Sequence, residues 1–192
     1  MDLEAYVRGM LVGREALDGL AREALRTVRR NLERPRKALP AGLLVLARRD
    51  QAPPERVAII LGEYDEEEKV ACYRAAGAKF AGTGLCPVAC VMFAEAWMVA
   101  SADGEPDVAP KDHPARKEVV VIAGGALGGV QNGRLFLAHQ TAGVLNVSRN
   151  HKGRLVAGTF TDMGTKGEFR LVLEFFNGWA SALVGRLDPE RN

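Results

Sequence analysis

The run from Val88 to Ala100, VACVMFAEAWMVA, does most to limit what this chain can become. Its apolar residues occupy both parities of a two-residue repeat and Glu95 is its one charge, the pattern of a strand buried on both faces. Val119 to Ala123 has the same character. Both read as central strands of a sheet.

Other short apolar runs supply neighbours for them. Leu43 to Ala47 and Val57 to Leu61 are separated by a polar stretch with Pro53 and Pro54, which can continue neither run, so the two read as antiparallel partners. Leu135 to Ala138, Val144 to Ser148, Arg154 to Thr161 and Glu168 to Phe175 read as further strands. The segments Asn132-Gly133, Asn150 to Gly153 and Asp162 to Gly167 carry the turn residues an antiparallel sheet requires.

Helical spacing dominates the first third. Leu3, Val7, Met10, Leu17, Leu20, Ala24, Leu25, Val28 and Leu32 recur at intervals of three, four and seven, predicting one long amphipathic helix over 2–34 closed off by Pro35 and Pro40. Gly9, Gly13 and Gly19 weaken its first half by about 1 kcal/mol each relative to alanine, so that half needs packing to form. Asp65 stands three residues before Glu68, a capping-box spacing, and Glu66, Glu67 and Glu68 favour a helix N-terminus. A second helix is therefore expected near 65–81, stopped by Gly82 and Gly84. Phe175, Trp179, Ala182 and Leu183 predict a short C-terminal helix. The expected class is α+β, a single domain over 1–192 with a mainly antiparallel sheet and the first helix packed on, or extending from, a core at 41–187.

Lys and Arg number 26 against 24 Asp and Glu, a net charge of +2, which disfavours a nucleic-acid role for the surface as a whole. The balance conceals segregation: residues 22–37 hold seven basic and two acidic side chains, or +5, leaving about −3 elsewhere. Arg22, Arg26, Arg29, Arg30 and Arg34 share one helical face, able to meet the phosphates of a nucleic acid, the weaker alternative, an acidic partner, or the Glu66 to Glu68 cluster of its own chain or of a sister subunit. No apolar stretch approaches the roughly 20 residues that span a bilayer, and Asp2, Glu4 and Arg8 interrupt any leader-like core, so a cytoplasmic protein is expected.

Chemistry has few candidates. Gly124 to Gly129 follow a strand but lead into another strand rather than a helix and lack a following Lys-Ser/Thr, so they read as a bulged hairpin loop and not a phosphate cradle. Cys86 and Cys90 are weak metal candidates. Their sulfurs stand about 13 Å apart on an extended strand, and such a site survives only if the segment is coiled. No cofactor is implied. Glu95 is the anomaly: a carboxylate between Phe93 and Trp97 must be paired, protonated or open to a cavity. The nearest cluster of cations along the chain is Lys111, His113, Arg116 and Lys117. One reading is a structural Glu95–Arg116 ion pair; the other is a cleft in which Glu95 is a general base, His113 an acid or base, and Arg116 an anion holder.

Ala94-Glu95-Ala96-Trp97, a Pro-containing loop, His113-Pro114-Ala115-Arg116-Lys117-Glu118 leading into a valine-rich strand, and Asn132-Gly133-Arg134 together resemble a pattern in uncharacterised conserved proteins of bacteria and phages. The resemblance covers residues 90–140 and implies a strand, loop, strand and hairpin core without a known activity. The favoured expectation is a non-catalytic homo-oligomer, a dimer first of all. It would assemble through the heptad-like seam of the first helix at Leu17 and Val28 and possibly through a sheet edge, with Arg22, Arg26 and Arg29 on its surface.

Overall fold

Among the described residues six strands, β1 (Gly42–Arg48), β2 (Glu55–Ile60), β3 (Cys86–Met98), β4 (Lys117–Gln131), β5 (Arg134–Arg149) and β6 (Leu155–Gly164), form one sheet in the order β2-β1-β3-β4-β5-β6. Every adjacent pair is antiparallel. The computed structural model describes residues 3–33, 39–50, 52–61, 65, 67–99, 112–132, 134–165 and 169–187. The class is α+β, and the two runs read as central strands lie at the middle of the sheet, in β3 and β4.

Alternation assigns the two faces. Gly124 of β4 lies under Leu17, and Ile122 lines the same side with Ala21 and Leu25. The other parity, Val119 and Val121, shares the opposite side with Met92, Ala94 and Leu171. Helices α1 (Leu3–Arg8) and α2 (Arg14–Glu33) cover the first face; α3 (Lys69–Phe80) and α4 (Arg170–Leu187) form the layer on the second.

The single helix expected over 2–34 is thus two. Helix α1 ends at Arg8, where the Met10 N–H donates to the Val7 carbonyl at 2.9 Å, and the chain resumes helix at Arg14. Gly9 and Gly13 bracket the break, as their high backbone entropy favours. Gly19 stays helical. Leu17, Leu20, Ala24, Val28 and Leu32 are all buried. Leu17 and Val28, expected at a contact between copies, are fully covered within the chain's own core, so a second copy must use another surface.

The second helix starts three residues later than the capping-box spacing predicts. Asp65 uses its carbonyl, accepting the Glu68 N–H at 3.0 Å, and Glu68 stands at the N-cap with no side-chain cap. Glu66 lies outside the described residues. The end of the helix is as expected: a tight turn at Ala81–Thr83 and then Gly84 at φ +73°, a left-handed position glycine occupies without strain.

Three assignments change. Gly124 to Gly129 are no hairpin loop; β4 runs through them, with register shifts between Ala126 and Gly129. The missing side chains make room for neighbours. A Cβ on Gly125 would come within 2.5 Å of Leu137, and one on Gly128 within 2.3 Å of Phe136. The true turn is at Asn132 (φ +52°), and β5 is one continuous strand where two were expected. Of the strand expected over Glu168 to Phe175, the residues from Arg170 onward are the start of α4, and Glu168 lies outside the described residues. Phe169, Val172, Phe176, Trp179 and Ala180 fall at three- and four-residue spacing and all are buried, so helical periodicity outweighs a locally apolar run.

Helices α3 and α4 touch through backbone. A Cβ on Gly77 would stand 1.9 Å from the Phe175 carbonyl oxygen, and one on Gly178 1.9 Å from that of Arg74. Phe80 and Phe175 flank this crossing with ring centroids 5.7 Å apart, and the Trp179 indole N–H donates to the Leu85 carbonyl at 3.1 Å.

Candidate functional site

Three places carry candidate chemistry. In the first, β3 pairs Glu95 with Val120 of β4 and directs its side chain to the α2 face. There the carboxylate accepts a hydrogen bond from the backbone N–H of Leu39, which leads into β1 and is itself buried. Burial raises the proton affinity of Glu95 above the ordinary carboxylate value; the Leu39 N–H opposes this, nearby Glu118 adds to it, and Arg149 opposes it. Glu118 on β4 and Arg149 on β5 form a two-point ion pair, with Nε 2.9 Å from Oε2 and Nη2 bonded to Oε1. Arg149 also donates to the Gly153 carbonyl at 3.0 Å.

The other members of the proposed cleft are engaged differently. The Arg116 guanidinium lies over the Trp97 ring, 4.8 Å from its centroid, a cation–π stack on a half-exposed indole. His113 takes the Ala115 N–H on Nδ1 at 3.1 Å and the Arg116 N–H on its carbonyl at 3.1 Å, shaping the turn before β4. Among the described residues no hydrogen bond joins His113 to Glu95. Lys111 lies outside them. The partner of Glu95 is a backbone donor 56 residues away along the chain, where Arg116 had been expected.

This geometry makes Glu95 a clamp on the passage from α2 into β1, and it predicts a pH signature. A carboxyl that binds its proton more readily folded than unfolded contributes most to stability at low pH, and that contribution is lost as pH rises through its folded value. Glu95→Gln keeps an acceptor for Leu39 while removing the charge, so it should flatten this slope just above the normal carboxylate range and hold at neutral pH the stability that the native chain has only at lower pH. Glu95→Ala strands the buried N–H and should cost about 1–3 kcal/mol. Urea unfolding across acidic and neutral pH checks both; a steeper slope in Glu95→Gln would remove the clamp.

The second place is the cysteine pair. Both lie on β3, not in a coil, and a bulge opposite Leu46 and Ala47 shifts the pleat between them. Burial pushes the Cys86 thiol up to about 12 and raises Cys90 as well, holding both protonated. Among the described residues no group of three or more His, Cys, Asp and Glu could hold a metal ion. The weak metal reading of Cys86 and Cys90 is set aside.

The third lies along α2. The helix runs antiparallel to β6, so that Asp18, Arg22 and Leu25 face Phe160 and Asp162, while Arg29, Leu32 and Glu33 face the segment Arg154 to Gly158. Two clefts of about 250 and 490 Å³ lie end to end between helix and strand. Their floor is apolar, with Leu25, Ile122, Phe160, Leu155 and Ala157. Their rim is basic. Arg14 is held by Asp18 at 2.9 Å, and on the far flank Glu23 is held by Arg56 at 2.8 Å. Arg22, Arg26 and Arg29 are exposed and make no ion pair or hydrogen bond among the described residues. Arg30, also exposed, reaches Thr27 at 3.5 Å. Arg34 lies outside the described residues.

The arginine face was thus visible in helical spacing. Its facing wall was not, because β6 is some 130 residues away along the chain and nothing local to either segment couples them. The same holds for Leu39 against Glu95 and for the Glu118–Arg149 pair. Among the described residues no helix is long and apolar enough to cross a membrane. No family model matches this chain, and neither a curated protein nor a solved structure matches it.

Proposed function

We propose that this chain is a non-catalytic cytoplasmic protein that works by association, with copies of itself as its first partner, through the α2 face. One observation carries the reading: Arg22, Arg26 and Arg29 stand exposed and unpaired in a row beside an apolar cleft. Guanidinium groups on a packed helix present directed, always-charged donors, and arginine is enriched where protein surfaces meet. The cleft supplies the apolar area that charges alone lack. The acids on its rim, Asp18, Glu33 and Asp162, disfavour a polyphosphate and suit a protein surface of mixed character.

The Glu95 region supports this reading from the other side. Its carboxylate is used to hold the backbone, and His113 to hold a turn. Sedimentation of the purified chain over a wide concentration range tests the proposal: species larger than the monomer are expected to grow with concentration and to recede in high salt. A chain that stays monomeric throughout, or that is retained on immobilised nucleic acid through these arginines instead, would overturn it.

A further inference from the structure

Exposed acidic groups lie on the other face of the sheet from the arginines. Asp65, Glu67 and Glu68 precede α3, are exposed, and make no ion pair among the described residues. Helix α3 packs on the second face of the sheet, over β2 at one edge, where Cys72, Ala76 and Phe80 meet Val57 and Ile59. Helix α2 packs on the first face, and its basic clefts lie along β6 at the other edge. The two patches have complementary charge, yet a six-stranded sheet stands between them. Within one chain they cannot meet.

We infer that they meet between copies: the acidic knuckle Asp65, Glu67 and Glu68 of one molecule seats against Arg22, Arg26 and Arg29 of the next. This rests on the self-association proposed above and names its contact. Arg22, Arg26 and Arg29 rise along α2 in steps of about 6 and 4.5 Å, within reach of carboxylates spread over one turn of chain. Three exposed pairs are individually weak, so the apolar cleft floor contributes the remainder of the contact.

The symmetry of the assembly follows. A knuckle on one face at one edge and a cleft on the other face at the opposite edge cannot both be used across a two-fold axis, so the contact is head-to-tail. Such contacts close into rings or continue as filaments. The dimer expected from a helical seam gives way to growth beyond two.

Two charge-reversed chains test the contact. In the first, Arg22, Arg26 and Arg29 become Glu; in the second, Asp65, Glu67 and Glu68 become Lys. Each alone should lose at least about tenfold in association constant by sedimentation. Mixing the two should restore assembly, because each retains one native patch that complements the other's reversed or native one. Versions with Gln at the same positions should weaken association alone and, when mixed, stop at one-to-one pairs, because only the native knuckle of one and the native arginines of the other can meet; unchanged thermal unfolding of each chain confirms that the effect is not one of folding. Large species that are lost on reversing the arginines but persist on reversing Asp65, Glu67 and Glu68 overturn this contact while leaving self-association through α2 standing. Loss in both without recovery on mixing overturns it too, and a native chain that is monomeric at every concentration overturns both.

Discussion

Gly178→Ala should lower stability by about 2–4 kcal/mol, and Gly77→Ala by a similar amount, each dropping the melting temperature by roughly 10 °C. The cause is steric and lies in the backbone. The new methyl on Gly178 would overlap the Arg74 carbonyl oxygen at 1.9 Å, and the one on Gly77 the Phe175 carbonyl oxygen at the same distance. A side chain could rotate away from such a clash, but main chain within a helix cannot, so the two axes must part. Parting them loosens Tyr73, Phe175 and Phe176, all fully buried. Gly19→Ala is the control: it too lies within a helix, but nothing stands within 4 Å of its Cβ, and it should stabilise by about 0.5–1 kcal/mol. Thermal melts followed by far-UV circular dichroism separate the cases. If Gly178→Ala melts with the native chain, the close crossing of α3 and α4 is wrong.

Trp179→Ala should be at least as damaging, costing about 3–5 kcal/mol. The indole is 1% exposed and bonds the Leu85 carbonyl at 3.1 Å, tying α4 to the turn that enters β3. Trp179→Phe separates the two contributions: it keeps most of the packing but leaves the carbonyl without its donor, for a loss of about 1–2 kcal/mol. The chain has two tryptophans, and Trp97 is 43% exposed. Native emission should therefore comprise a quencher-accessible and a shielded component, with the shielded one absent from both variants. Retention of a shielded component in Trp179→Ala would contradict the burial of this residue.

Much of the sheet was legible because antiparallel pairing is written locally. The Pro53-Pro54 break, the Asn132 turn and the Asn150 turn, whose side chain accepts the Lys152 and Arg154 N–H groups, each join strands adjacent in both sequence and space. What escaped was decided at long range. Gly77 and Gly178 look like weak points in their helices, since a close approach is a property of two segments and neither shows it alone. The glycines of β4 look like a loop for the same reason: their purpose is set by Leu137 and Phe136 on the next strand. Phe169 to Phe175 reads equally as a strand or a helix until Phe176, Trp179 and Ala180 extend the period. Glu95 announced itself as out of place, but its donor belongs to another part of the chain. The arginine row lay plainly in α2, and only the fold shows that acids of the opposite sign end up behind the sheet.

The glycine-to-glycine crossing also orders events in time. It joins segments about a hundred residues apart, and closing so long a loop costs about 4 kcal/mol before any contact forms. The hairpins from β3 to β6 close much shorter loops and need no such outlay. Folding is therefore paced by the meander, with α4 docking onto α3 after the rate-limiting barrier. A contact absent from the transition state does not set how fast the molecule folds but how long it stays folded. The two glycines act as a latch on the native state's lifetime, and weakening them shortens it at nearly constant folding rate.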